Sequence, residues 1–257
     1  MNREEMIKNI RESMRSLYES GAYYVSIPAG EKATYEESYW NTIVDPDGKE
    51  RNRLEERELF LSDIDYVVNY LTTLSPGKIL DIGCGLGWLL SALPDGWEKH
   101  GIELSKTAAE FAQKYGKIFQ GPLSKSTYPD NYFDVIFMHH VIEHMDKPEE
   151  EIKNIKRILK PGGILILGTP DFDSGCARLF GGNYRLLHDQ THISLFSNDS
   201  MHRFLRDNSF KIFRTEYPFF NTRFFTKENL MKLFDTSIIS PPFYGNFMTF
   251  FCRNEKD

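Results

Sequence analysis

Cysteine is scarce in this 257-residue chain. Its thiols, Cys84, Cys176 and Cys252, are odd in number, far apart and without a CxxC spacing. Neither a disulfide framework nor a cysteine zinc site is expected, and a reducing compartment, the cytoplasm, fits best. Long apolar runs are missing too: none approaches the roughly 18 residues of a membrane span. The opening MNREEMIKNIRESMR is a charged amphipathic pattern without the apolar stretch of a signal peptide, so neither secretion nor a membrane partner is expected. Positive charge is short as well. Lys and Arg total 31 against 37 Asp and Glu, a net charge of -6, which provides no overall field to hold a polyanionic backbone and argues against a nucleic-acid partner. Internal repeats and low-complexity tracts are absent.

What is present is the composition of an ordinary globular protein, 40% hydrophobic and 26% charged. The length suits one α/β core with embellishments. Short apolar runs at 78–82, 99–103, 117–120, 133–139 and 164–169 alternate with helical patterns, which predicts five parallel strands covered by helices. Ahead of them, residues 50–74 carry Leu54, Leu59, Phe60, Ile64, Val67, Val68 and Leu71 as one apolar helical stripe. The stretch 21–48, with Tyr23, Tyr24, Tyr35, Tyr39 and Trp40, reads as an aromatic lid. The tail predicts a helix at 198–207, a strand at 211–217, a helix at 227–234 and a strand at 246–252. Residues 1–75 are thus expected to form an N-terminal helical cap and lid, and 76–257 a ligand-binding domain with an insertion at about 171–197.

The strongest signal is ILDIGCGLGWLL at 79–90, a buried strand running through three glycines into a helix. Gly83 permits the tight turn, Gly85 lets the backbone approach a ligand, and Gly87 allows close helix packing. The helix N-terminus suits a carboxylate. A GxGxxG dinucleotide turn would put glycine where Trp88 stands, which disfavours a nicotinamide cofactor. Glu103 in GIELS, with Leu104 beside it, is spaced to accept hydrogen bonds from both ribose hydroxyls of an adenosine ligand.

In these residues the chain resembles the class I methyltransferases dependent on S-adenosylmethionine (SAM): 81–87 matches their first motif and Glu103 their ribose-binding acid. YPDNYFD at 128–134, HHVIEHM at 139–145 and LKPGGILIL at 159–167 extend the likeness over 78–169. The resemblance implies a Rossmann-like α/β methyltransferase fold, a mostly parallel seven-stranded sheet with helices on both faces and a final antiparallel strand at 246–252. It implies SAM as cofactor, leaving as S-adenosylhomocysteine (SAH), with Asp81, Gly83, Gly85, Gly87, Glu103, Leu104, Leu123 and His139 around it. Many relatives bind the adenine amino group with Asp after the third strand; Gly121, Pro122 and Leu123 stand there instead, leaving backbone groups near Leu123 and apolar packing to hold adenine.

His139, His140, Glu143 and His144 follow the fourth strand, at the edge where open α/β sheets bind ligands. His140 is expected to be the general base for an alcohol acceptor and Glu143 a structural residue. The 140–144 spacing also resembles metal-dependent small-RNA 2′-O-methyltransferases. His140 replaces their first carboxylate, His188 or His192 would have to complete the set, and no metal is assigned. The segment DFDSGCARLFGGNYRLLHDQTHISLFS resembles the insertion of a methyltransferase subfamily associated with surface-glycan (polysaccharide) and small-metabolite biosynthesis. Tyr184, Arg185, His188 and His192, with Arg178, are expected to meet the acceptor there, and Arg51 and Arg53 invite the same reading. The expected reaction is methyl transfer to an oxygen of a small molecule or glycan precursor, sugar-linked or phosphate-like (a phosphoramidate) included. The alternatives are N-methyl transfer, a catalytically silent SAM-fold partner subunit, or a nicotinamide oxidoreductase.

Overall fold

The structure, a computed structural model, describes residues 2–30, 43–44, 50–220, 222–242 and 246–255. Tyr35, Tyr39 and Trp40 of the expected lid lie outside the described residues, as does the side chain of Arg51. The strands are β1 (Val25–Ser26), β2 (Ile43–Val44), β3 (Glu50–Arg51), β4 (Lys78–Ile82), β5 (Glu98–Glu103), β6 (Lys117–Gln120), β7 (Phe133–His139), β8 (Leu159–Pro170), β9 (Ser194–Leu195), β10 (Phe210–Glu216) and β11 (Phe247–Asn254). Seven form one sheet in the order β10-β11-β8-β7-β4-β5-β6. β4 runs parallel to β5 and to β7, with Ile79 opposite Lys99 and Val135, and β5 runs parallel to β6. β1 pairs antiparallel with β9, and β2 with β3.

The first four core strands lie within one residue of their expected bounds. The fifth starts five positions earlier than the apolar run at 164–169 predicts. Asn254 Nδ2 donates to the carbonyls of Leu159 and Lys160 at 3.0 and 3.1 Å, and Arg253 Nη1 donates to that of Gly162 at 3.0 Å. These side-chain donors keep the Lys-Pro-Gly-Gly stretch extended beside β11, which hydropathy cannot reveal.

The helical stripe at 50–74 is also corrected. It is a 3-10 turn (Arg53–Glu55) and two helices (Arg57–Asp63 and Asp65–Thr72), broken at Ile64 where φ is -121° and ψ 24°. The break resets the helical phase, so Ile64, Val67 and Leu71 are buried while Leu59 is 42% exposed.

The chain divides into two compact units that interleave along the sequence rather than meeting at 75/76. One comprises Met1–Ala33, His140–Pro148 and Gly168–Phe250; the other comprises Thr34–His139, Glu149–Leu167 and Phe251–Asp257. In the second, Ile64, Val67 and Leu71 pack with Ile79, Leu89, Leu90, Phe137, Ile166 and Phe251. Each such side chain contributes about 1.5–3 kcal/mol by leaving water. Asp134 accepts from the Lys78 N–H at 2.7 Å and from Lys160 Nζ at 2.6 Å, tying together the starts of β4, β7 and β8.

In the first unit the N-terminal pattern forms two helices, Arg3–Lys8 and Ile10–Ser20. Ile10, Met14 and Leu17 face Phe172, Phe180, Tyr184, Leu187 and Leu195, so the N-terminal helices and the 171–197 insertion share a core. The Arg3 guanidinium donates to four carbonyls, those of Pro28, Leu187, Asp189 and His192, at 2.6–3.1 Å. One cation thereby fixes the course of an irregular loop.

Gly87 has φ +75°, and an added Cβ would sit 3.1 Å from Ala112 Cβ and from Tyr115 Cδ2. Gly87→Ala is expected to lower stability by about 1–3 kcal/mol through strain and overpacking. Gly21→Ala, at φ +73° with nothing within 4 Å, should show the smaller backbone cost alone. Urea unfolding of both variants checks this; equal midpoints would remove the packing role given to Gly87.

Candidate active site

In the unit that holds β4–β7, the glycine-rich turn is pinned from outside itself. The N–H groups of Gly83 and Cys84 both donate to the Ile102 carbonyl of β5, at 2.8 and 3.0 Å, and the Gly87 N–H donates to the Cys84 carbonyl at 2.8 Å. Gly83, Gly85 and Gly87 all take positive φ, 72°, 51° and 75°, which only glycine adopts without strain. Trp88 occupies the position of the missing glycine; it opens the helix Trp88–Ala92 and packs edge-on against Phe111, centroids 5.2 Å apart.

Glu103, at the end of β5, is 7% exposed. Its two oxygens accept from the Gly85 and Ser105 N–H groups, each at 2.8 Å. Burial pushes its carboxyl up, opposed by the N–H bonds from Ser105, Gly85 and Leu104 and by the charge of Arg53. Asp81, two residues before the first glycine, is 3% exposed and is pushed well above the usual range by burial and then by the charge of Glu103. Sequence reasoning missed Ser105, which also caps the helix Lys106–Ala112 by accepting from Ala108 N–H. A Ser before a helical run is a cap signal, and it stood in plain sight in GIELS. Leu104 is 54% exposed and Leu123 3%. The Leu123 carbonyl accepts from Ser126 N–H and Oγ, so a backbone contact to adenine there falls to its N–H. His139 closes β7 with its ring stacked on Phe137, centroids 5.9 Å apart.

In the other unit, the segment after β7 is laced to the segment before β9. Ile193 N–H donates to the Glu143 carbonyl at 2.8 Å, and Ser194 Oγ to the Met145 carbonyl at 2.7 Å. This brings His144 and His192 to a centroid distance of 4.8 Å. Glu143 is wholly buried. One oxygen lies 3.1 Å from His140 Nδ1 and the other accepts from Thr169 Oγ1 at 3.0 Å. Burial opposes its ionisation, but the His140 hydrogen bond and the charges of His144, His140 and His192 outweigh it and hold the carboxyl at about 2. Burial lowers His192.

Among the described residues, Glu143, His144 and His192 are a group whose ligand atoms, one from each, lie within 4.8 Å of one another. His192, not His188, is the distant histidine brought there. His144 Nδ1 lies 3.1 Å from the Thr191 carbonyl and His192 Nδ1 2.6 Å from that of Leu186, so each member has a protein partner.

A methyltransferase-domain family model matches residues 53–215. The chain belongs to the class I SAM-dependent methyltransferases. It is 30% identical over 163 residues to an uncharacterized methyltransferase of Schizosaccharomyces pombe, covering 55% of this chain and 57% of that protein. It is 32% identical over 117 residues to the ubiquinone biosynthesis O-methyltransferase of Alkalilimnicola ehrlichii, covering 41% and 47%. The chain thus spans about half the length of these curated relatives. A crystal structure of a SAM-dependent methyltransferase from Thermotoga maritima, described as a possible histamine N-methyltransferase, superimposes with a TM-score of 0.54 at 25% identity, covering 77% of this chain and 93% of that one. No helix among the described residues is long and apolar enough to cross a membrane.

SAM is the cofactor of this family, and the methyltransferase's own residues fit it. Two buried carboxylates, both pushed upward by burial and Asp81 further by the charge of Glu103, are relieved by a ligand bringing hydroxyl donors and positive charge, and SAM brings both. Glu103 would hold the ribose hydroxyls through its remaining lone pairs, Asp81 and the glycine turn the cationic methionine part, and Leu104 and Leu123 the adenine.

The expected acceptor residues are not gathered as a group. Tyr184 is fully buried and its hydroxyl donates to the Asp171 carbonyl at 3.2 Å, so it is a core residue rather than an acceptor contact. Arg178 is held bidentately by Asp173, at 2.6 and 3.0 Å. His192 is 4% exposed. His188, exposed, lies 3.1 Å from the Gly182 carbonyl, and Arg185 is half-buried.

Because Asp81 and Glu103 are pushed upward, they take up protons at a higher pH than ordinary carboxylates. A protonated carboxyl cannot accept the ribose and ammonium donors as well. SAM affinity should therefore weaken as pH falls, starting above the pH at which ordinary carboxylates take up protons and approaching tenfold per pH unit for each carboxylate titrated. Glu103→Ala should cost on the order of 1.5–3 kcal/mol of SAM binding. Calorimetry from pH 8 downward tests both; affinity that stays flat to about pH 4, or that survives in Glu103→Ala, would contradict the assignment.

Proposed function

We propose that this methyltransferase transfers the SAM methyl group to an oxygen of a small molecule or glycan precursor, with His140 as general base. The observation that carries the reading is the position of His140: it directly follows β7, its ring is one-third exposed, and its Nδ1 meets a buried carboxylate. SAM supplies an electrophilic methyl on a sulfonium. The chain's residues have two tasks, to hold cofactor and acceptor in line and to remove the proton from a neutral hydroxyl. His140 suits the second, because a neutral imidazole offers a ring-nitrogen lone pair that can take a proton. A phosphate-like acceptor such as a phosphoramidate would lean on Arg185 and His188. N-methyl transfer is the second reading. A silent SAM-fold subunit and a nicotinamide enzyme are outcomes of the same tests, the latter disfavoured by the packed Trp88. Glu143, His144 and His192 take their hydrogen bonds from His140, Thr169, Thr191 and Leu186, and the proposed chemistry is metal-independent.

SAM and SAH should raise the melting temperature while NAD does not, and mass spectrometry of an acceptor panel should reveal one methylated product. With that acceptor, His140→Ala is expected to lower kcat by roughly 10²-fold and leave SAM affinity nearly unchanged. Chelator-treated protein should keep its rate. A near-wild-type kcat in His140→Ala would point to an anionic acceptor that needs positioning alone, and loss with EDTA restored by a divalent ion would make Glu143, His144 and His192 ligands.

A further inference from the structure

His140 takes φ +56°, a left-handed conformation that strains a residue with a Cβ. The strain is held by tertiary contacts. The His140 N–H donates to the Gly168 carbonyl at 2.9 Å, and Phe247 stands edge-on to the imidazole, centroids 4.9 Å apart at 89°. The third contact is polar: Nδ1 lies 3.1 Å from Glu143 Oε1. Glu143 is wholly buried, and its other oxygen accepts from Thr169 Oγ1, itself buried, at 3.0 Å. Strained non-glycine backbone persists only where its surroundings over-determine it, and such sites cluster where a side chain must be aimed.

The hydrogen-bond inventory decides the tautomer. An ionised carboxylate can only accept, so Nδ1 must carry the proton and the lone pair lies on Nε2. Thr169 supplies the donor that keeps the second oxygen satisfied and the carboxylate in one orientation. We infer that Glu143, held in turn by Thr169, is a positioning residue that fixes His140 with its proton on Nδ1 and its basic lone pair on Nε2. This rests on His140 being the base. In that step the acceptor's hydroxyl proton passes to Nε2, the oxygen's electron pair forms the new O–C bond, and the electrons of the broken C–S bond stay on sulfur. The imidazolium that results has a carboxylate against its Nδ1–H and returns the Nε2 proton to solvent.

The test has one spectroscopic and one kinetic readout. In ¹⁵N-histidine protein at about pH 8, the His140 signals should show Nδ1 protonated and Nε2 unprotonated in the wild type. In Glu143→Gln they should shift toward the Nε2-protonated form that free imidazole side chains favour. Glu143→Gln should lower kcat on the order of 10²-fold with the KM for SAM unchanged. Removing a buried charge could disturb folding, so the pair Thr169→Val and Thr169→Ser serves as a second arm. Val should lower kcat roughly tenfold, and Ser, which keeps the hydroxyl, should restore it. An Nε2-protonated His140 in the wild type, an unchanged tautomer and kcat in Glu143→Gln, or equal rates in the two Thr169 variants would overturn the inference while leaving His140→Ala to report on the base. An unaffected kcat in His140→Ala would bring down that reading and this inference with it.

Discussion

A carboxylate taken out of water must be given other donors, and much of this protein's local order follows from how two carboxylates obtain them. Glu103 draws its donors from main chain: the N–H groups of Gly85 and Ser105 reach its two oxygens, so one side chain joins the glycine turn to the start of the next helix. Rigid placement of that turn follows, since the Gly83 and Cys84 N–H groups are used by the Ile102 carbonyl and that of Gly87 by the Cys84 carbonyl. The structure stays under electrostatic load, because Asp81 is buried beside the same charge. A cationic, hydroxyl-bearing cofactor relieves that load, which is why the turn reads as a binding site rather than as a structural corner.

Glu143 meets the same constraint with side chains. His140 and Thr169 supply its partners, and three imidazoles set its surroundings. An ionised group held this way cannot swing without leaving a buried charge unpaired, at a cost of several kcal/mol. The loop after β7 therefore owes its fixed shape to one buried acid. Its neighbour, the 187–192 loop, owes its shape to the Arg3 guanidinium on four carbonyls. Residues that a linear reading assigns to a cap and to an insertion serve one core, because the apolar face of the helix Ile10–Ser20 is covered by Phe172, Phe180 and Tyr184.

Much of the cofactor side was legible beforehand. A strand, three glycines and an acid at the next strand's end act through local geometry, and their spacing survives in sequence. The acceptor side was legible only in part. Tyr184 and Arg178 read as acceptor contacts because a loop rich in polar and aromatic residues cannot reveal which members will turn inward. Tyr184 was claimed by the core and Arg178 by Asp173. Glu143 read as merely structural, since its burial and the approach of Thr169 from 26 residues away have no periodic signature.

Sequence by itself determined the alternation of buried strand and helix, the conformational freedom of the glycine turn and the acid beside it, because each depends on residues within a strand or two of one another. Tertiary structure alone decided the early start of β8, the break at Ile64, the choice of His192 over His188 and the partnership of His140, Glu143 and Thr169. Those outcomes depend on which buried polar groups find donors across long stretches of chain, and the energy of satisfying a group removed from water belongs to the packed molecule and not to any segment of it.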